Sequence, residues 1–283
     1  MNGIARAFAR ARAEDRAALI PYVMAGYPAP DAVPEIALAL ERGGADLLEI
    51  GMPFSDPLAD GPTIQRAATT SLAGGTTVAA CIETASRIRQ RSAIPMVLMG
   101  YFNPIHRYGL ARFFTDAAGA GVGGLIVPDL PPEEAGEVRA IARQHGIDLI
   151  FLLAPTSTEE RIRRAAAVAS GFVYCVSLTG VTGARASVAE GLEAFLGRVR
   201  RHTSLPLAVG FGISRPAHAR QVAQVADGVV VASALIDLID KTEPKARLRS
   251  LEEYMRSMHD GAGKSMPLPA GAVSGQQADD RVG

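Results

Sequence analysis

The sequence predicts an α/β fold, a (β/α)8 TIM barrel with an extra N-terminal helix. Three observations predict it. Eight short apolar segments recur along the chain. None alternates apolar with polar residues, so each fits a parallel strand buried on both faces. A helical stretch follows each one, and eight such units in about 240 residues match a closed barrel. A doubly wound open sheet is the competing architecture. Neither GxGxxG nor GxxxxGK[ST] follows the first strand, which weighs against it.

The first twenty residues read as an amphipathic helix with Ile4, Phe8 and Ala11 on one face. They are basic, but no long apolar region follows, so they do not read as a signal peptide. Strand one is Leu19–Met24 and contains Tyr22. Asp31 is placed to cap a helix from about Ala32 to Glu41, ended by Gly43-Gly44. Strand two opens at Leu47-Leu48, carries Glu49, and ends at Gly51 and Pro53. A long loop with Asp56 and Asp60 follows, then helical sequence from Thr63 to about Ser71 and from about Val78 to Gln90.

Strand three is Ile94–Met99, with a loop over Gly100–Pro104 and a helix over Leu110–Ala118. Strand four is Gly124–Val127, and its helix runs from about Glu133 to His145. Strand five is Asp148–Leu153; Thr156 or Ser157 caps the helix after it, which reaches about Ala169. Strand six is Phe172–Val176, followed by a polar loop, Ser177–Ala186, and a helix from about Val188 to His202. Strand seven is Leu205–Val209; Ser214 and Pro216 start its helix, to Val225. Strand eight is Gly228–Ala232, and short helices follow over Leu235–Asp240 and about Pro244–Met258. A single barrel domain therefore spans residues 1–260. Residues 261–283 are rich in Gly, Ala, Ser, Gln and Asp without a period and read as a disordered tail.

Composition bounds the function. Lys+Arg and Asp+Glu are both 29, so charge gives no case for nucleic acid or an anionic membrane. No apolar run reaches transmembrane length. Cys81 and Cys175 form no disulfide framework, which points to a reducing cytoplasm. Lysine occurs only at Lys241, Lys245 and Lys264, so no candidate strand supplies the lysine of a Schiff-base enzyme. The five histidines are scattered singly, without the spacing of a metal pair.

In such barrels the chemistry sits at the C-terminal ends of the strands. Glu49 lies there among apolar neighbours, where a charge must be paired, solvated or neutralised. It is either an acid/base group with a shifted pKa or the partner of a buried arginine. Asp56 and Asp60 are either functional or ordinary turn formers, and residue types alone leave both readings open. Two strand-to-helix loops are long, one with Asp60 and one with Thr182 and Gly183, and each fits a lid. After strands seven and eight, GFGIS and ASALI bring small residues to helix starts, the usual phosphate position. The residues thus describe a phosphate-gripping barrel suited to proton transfer on a small phosphorylated substrate.

Three stretches closely resemble the tryptophan synthase α subunit family: PFSDPLADGPTIQ (Pro53–Gln65), YCVSLTGVTGAR (Tyr174–Arg185) and GFGIS (Gly210–Ser214). The resemblance spans about Arg6 to Met258. It implies a (β/α)8 lyase that cleaves indole-3-glycerol phosphate to indole and glyceraldehyde 3-phosphate in a retro-aldol reaction. It implies Glu49 as the proton-transfer residue and Asp60 as the partner of the indole N–H. Tyr22, Ile64, Tyr101, Ile126, Tyr174 and Phe211 fall at substrate positions, and Thr182 where a loop threonine closes against Asp60. Phosphate binding carries over to Gly183, Gly212, Ala232 and Ser233; the family often has glycine where Ala232 stands. Asp56 then reads as structural. The resemblance also implies a β subunit in an α2β2 heterotetramer. That partner holds the pyridoxal phosphate, takes the indole for tryptophan synthesis, and docks at the same mouth, including Asn103-Pro104. No cofactor is expected in this chain. A stand-alone lyase releasing free indole, a degenerate barrel that only activates β, and a sugar-phosphate isomerase are the rival expectations.

Overall fold

The computed structural model describes residues 2–176, 185–210 and 212–264, with side chains of 185–190 left undescribed. The expected barrel is present. Its strands are β1 (Ala18–Met24), β2 (Leu48–Gly51), β3 (Met96–Met99), β4 (Val122–Ile126), β5 (Asp148–Ile150), β6 (Leu152–Leu153), β7 (Val173–Val176), β8 (Leu207–Gly210) and β9 (Gly228–Val231). All neighbouring pairs are parallel, in the order β5-β4-β3-β2-β1-β9-β8-β7-β6. The fifth expected strand is therefore split. Its first half pairs with β4 and its second with β7, so the ring closes through the chain itself at Phe151. The Phe151 carbonyl accepts from the Tyr174 N–H at 3.1 Å across this seam.

Helix α1 (Gly3–Ala13) starts at Asn2, whose side chain accepts from the Ala5 N–H. It plugs the N-terminal end of the barrel. Ile4, Phe8 and Ala11 are buried against Ile20, Val97, Ile150 and Phe172, which point into the barrel. Phe8 and Phe172 stack at 5.5 Å between ring centroids. Below them, Arg16 and Asp46 form a buried ion pair at 2.5 Å. Asp46 also accepts from the Leu19 N–H at 2.9 Å, which fixes the start of β1.

The outer helices α2 (Val33–Arg42), α3 (Pro62–Ala73), α4 (Val78–Arg89), α6 (Leu110–Gly119), α7 (Gly136–Gln144), α8 (Glu159–Val168), α9 (Arg185–Arg200), α10 (Pro216–Ala223), α11 (Ser233–Lys241) and α12 (Pro244–Gly261) follow the expected order. Four details differ from expectation. Asp31 does not cap α2: its carboxylate takes Arg87 at 2.5 Å, and Pro34 at the helix start leaves one fewer N–H group to cap. An additional helix, α5 (Phe102–Tyr108), stands where Gly100 and Pro104 suggested a loop. Pro104 is its third residue, where a missing N–H costs nothing, and Asp129 accepts from the Phe102 N–H. Helix α7 begins three residues late because turns from Pro131 and Pro132 precede it. Thr158, not Thr156 or Ser157, caps α8. At the chain's far end, α12 reaches Gly261, and residues 262–264 bond back to 15–17. The tail expected from 261 therefore has its first four residues packed on the barrel; residues 265–283 lie outside the described residues.

Candidate active site

A cavity of about 680 Å³ opens at the C-terminal ends of the strands. Its volume is ordinary for a small-molecule site. Tyr22 from β1, Glu49 from β2, Met99 from β3 and Tyr174 from β7 form its floor, and Asp60 and Ile64 form one side. Tyr22 and Tyr174 lie this deep because each has a glycine in front of it. A Cβ on Gly51 would stand 1.9 Å from the Tyr22 hydroxyl, and one on Gly210 would stand 2.2 Å from the Tyr174 hydroxyl. The neighbouring strands must lack side chains there for both rings to fit.

Glu49 is 1 % exposed, and its Oε2 has no hydrogen-bond partner among the described residues. Burial first, then the negative charge of Asp60, push its pKa up to about 8. Among the described residues no basic side chain holds its charge, so the buried-arginine reading finds no partner there; Arg16, a buried arginine, pairs with Asp46 at the other end of the barrel. Asp60 is raised to about 6 by burial, against the opposing pull of the Tyr101 hydroxyl. That hydroxyl accepts from the Ala59 N–H at 2.9 Å, so Tyr101 braces the loop beneath Asp60 rather than lining the cavity. Asp56 is exposed, bonded to Ser55 Oγ at 2.5 Å, and outside the cavity. Ile126 is fully buried in the layer of side chains inside the barrel and does not reach the cavity wall.

Small residues and a helix N-terminus line the other end of the cavity, an arrangement suited to an anion. Gly212, with φ of +71°, Ser214, Ala232, Ser233 and Ala234 line it. Ala232 is the N-cap of α11, no side chain caps that helix, and its first N–H groups and dipole face the cavity. The φ of Ala232 is −118°, so its methyl group is accommodated and glycine is not required. The Tyr254 hydroxyl donates to the Ser214 carbonyl at 3.1 Å and pins the GFGIS loop from α12. Thr182, Gly183 and Phe211 lie outside the described residues. Among the described residues, no group of three or more His, Cys, Asp or Glu could hold a metal ion.

Sequence reasoning missed Asp237, Lys241 and Tyr254, all in the cavity wall. It looked for lysine on strands, whereas Lys241 comes from a helix. A signal was available: Ser233, Asp237 and Lys241 are spaced four residues apart and share one face of α11.

The chain matches the family profile described as "Tryptophan synthase alpha chain" over residues 8–263. It is 56 % identical over 257 residues to the tryptophan synthase alpha chain of Roseiflexus castenholzii, covering 90 % of this chain and 98 % of that one. It is 50 % identical over 259 residues to that of Chloroflexus aggregans, covering 91 % and 97 %. Among solved structures, tryptophan synthase from M. tuberculosis in its aminoacrylate-bound form superposes with a TM-score of 0.84 at 37 % identity, covering 93 % of this chain and 100 % of that one. Tryptophan synthase subunit alpha from Legionella pneumophila superposes with a TM-score of 0.83 at 37 % identity, covering 92 % and 99 %. Fold, cavity and near-complete coverage by relatives at this identity agree: the chain belongs to the tryptophan synthase alpha chain family.

Proposed function

We infer that the cavity carries out the α reaction of tryptophan synthase, the retro-aldol cleavage of indole-3-glycerol phosphate to indole and glyceraldehyde 3-phosphate. The observation that carries the reading is the placing of two carboxylates, the buried Glu49 and the half-buried Asp60, in one cavity opposite an uncapped helix N-terminus. With the phosphate at Gly212, Ala232 and Ser233, the indole lies toward Tyr22, Ile64 and Tyr174.

At pH 7 Glu49 holds a proton and Asp60 does not. Glu49 protonates C3 of the indole ring, and the ring nitrogen becomes positively charged. Asp60 accepts a hydrogen bond from that N–H and stabilises the charge. The Glu49 carboxylate then takes the proton of the neighbouring substrate hydroxyl. Its C–O bond becomes the aldehyde, the bond to C3 breaks, and the electron pair returns to the ring to give indole. Glu49 ends the cycle protonated. The ring serves as the electron sink, so the chain needs no cofactor of its own for this step.

We propose as its partner a β subunit that carries pyridoxal phosphate and receives the indole, in an α2β2 heterotetramer in the cytoplasm. The loop between β2 and α3 fits the docking surface: Leu58 is 96 % exposed in it, two residues before Asp60, and Asn103 is exposed on α5, the helix that follows β3. Release of indole from indole-3-glycerol phosphate, with and without a β subunit, tests the reading. Absence of indole in both assays overturns it, and turnover that β leaves unchanged overturns the partner.

A further inference from the structure

Helix α3 begins two residues after Asp60, and Gln65 Nε2 donates to the Asp60 carbonyl at 2.8 Å. The next residue, Arg66, reaches across the seam to α11. Its Nη2 lies 3.1 Å from Asp237 Oδ1 and 2.7 Å from Asp240 Oδ2. Thr63 Oγ1 is also 3.4 Å from Asp237 Oδ1. Helix α11 is the one whose uncapped N-terminus lines the cavity at Ala232 and Ser233. Asp237 follows Ser233 by four residues, about 6 Å along the axis, and itself stands in the cavity wall. A carboxylate there opposes a phosphate dianion.

We propose that Arg66 is a positioning residue for the phosphorylated substrate. Through Asp237 and Asp240 it locks the Asp60 arm to the phosphate-binding helix, and its charge offsets that of Asp237 in the cavity wall. The proposal rests on the reading of the cavity as an indole-3-glycerol phosphate site. Arg66 is half-exposed, and exposed ion pairs of this kind contribute little to stability. The consequence of removing it therefore falls on substrate binding, not on folding.

The test compares the full chain with Arg66→Ala, Asp237→Ala and the double variant at low ionic strength. KM and kcat for indole-3-glycerol phosphate, the dissociation constant of inorganic phosphate by calorimetry, and the melting temperature are measured. Arg66→Ala is expected to raise KM and the phosphate constant about fivefold, with a smaller change in kcat and a nearly unchanged melting temperature. Adding Asp237→Ala is expected to return the phosphate constant to within about twofold of the parent. Arg66→Lys, which keeps the charge, is expected to retain most of the affinity. A phosphate constant unchanged in Arg66→Ala, or a double variant that binds no better than the single one, overturns the proposal. If Arg66→Ala folds poorly, Arg66→Gln keeps the stem and is held to the same readouts. Turnover by the parent chain checks the underlying reading separately, because calorimetry with phosphate needs no turnover.

Discussion

Asp60 raises the pKa of Glu49 from across the cavity, second only to burial as a cause. The two carboxylates come from different elements, a strand and the loop after it, yet the charge of Asp60 helps set the role of Glu49. The ionised Asp60 helps keep Glu49 protonated, and a protonated Glu49 can act as an acid at neutral pH.

A bell-shaped pH profile follows. kcat/KM is expected to rise through about pH 6 as Asp60 ionises and to fall through about pH 8 as Glu49 loses its proton. Asp60→Asn should remove the acid limb and move the alkaline limb to lower pH, because the charge raising Glu49 is gone. An alkaline limb that stays in place in Asp60→Asn would contradict this coupling.

Glu49→Gln should abolish cleavage while stabilising the fold. The folded state keeps the Glu49 proton up to about pH 8, whereas an unfolded glutamate releases it near 4.5. Between these values the folded state binds more protons, so stability falls as pH rises. Removing the carboxyl group should raise stability by about 1–3 kcal/mol at pH 7 and flatten that slope. Urea unfolding at pH 5 and pH 7.5, beside an indole assay, checks both halves; appreciable turnover rejects the role given to Glu49.

Tyr101→Phe should shift the acid limb upward. The hydroxyl lowers the pKa of Asp60, and without it burial acts unopposed. Activity near pH 6.5 should drop severalfold while activity near pH 7.5 changes less. A profile of unchanged shape would show that Tyr101 braces only the Ala59 N–H.

The barrel was legible because both-sided burial leaves a simple mark: strands such as Leu19–Met24 and Gly228–Val231 are almost wholly apolar. What was not legible depends on where side chains meet. Thr158, not Ser157, caps α8, and a shift of one residue is invisible to a residue-type rule. The split of strand five at Phe151 comes from barrel closure, which no local pattern records. Glu49 and Asp60 could be singled out as candidates from their positions. Their unequal ionisation could not be, because it depends on burial and on the Tyr101 hydroxyl. Asp237 and Lys241 were missed because they belong to the helix beyond the phosphate loop rather than to the loop itself.

Asp46 marks the end of the barrel that serves stability. Burial opposes its charge, but hydrogen bonds from Arg16, the Leu19 N–H and Arg10 outweigh it and hold the pKa below 3.8. A depressed carboxylate stabilises the fold fully above its unfolded pKa and loses that contribution as pH falls through the folded value. Asp46→Ala should cost about 3 kcal/mol at pH 7, with the difference from the parent shrinking in acid. Its kcat should match the parent's in the folded fraction, because the pair is at the opposite end from the cavity. Denaturant unfolding across pH 3–7 measures this, and a pH-independent loss would mean the ion pair is not its source.

Gly51→Ala tests whether the deep tyrosines shape the floor of the cavity. Its new methyl group would stand within 2 Å of the Tyr22 hydroxyl, so the ring must move. The ring is buried between strands, and the space open to it is the cavity, where the indole would lie. KM for indole-3-glycerol phosphate should therefore rise tenfold or more, by roughly 1.4 kcal/mol of lost binding, while inorganic phosphate binds as before at the far end. Tyr22→Phe in the same background removes the oxygen but leaves ring carbons Cζ and Cε2 at 2.4 and 2.8 Å from the methyl group, so it should recover only part of the lost affinity. If Gly51→Ala weakens phosphate and substrate equally, the methyl group has disturbed the whole barrel rather than the indole end.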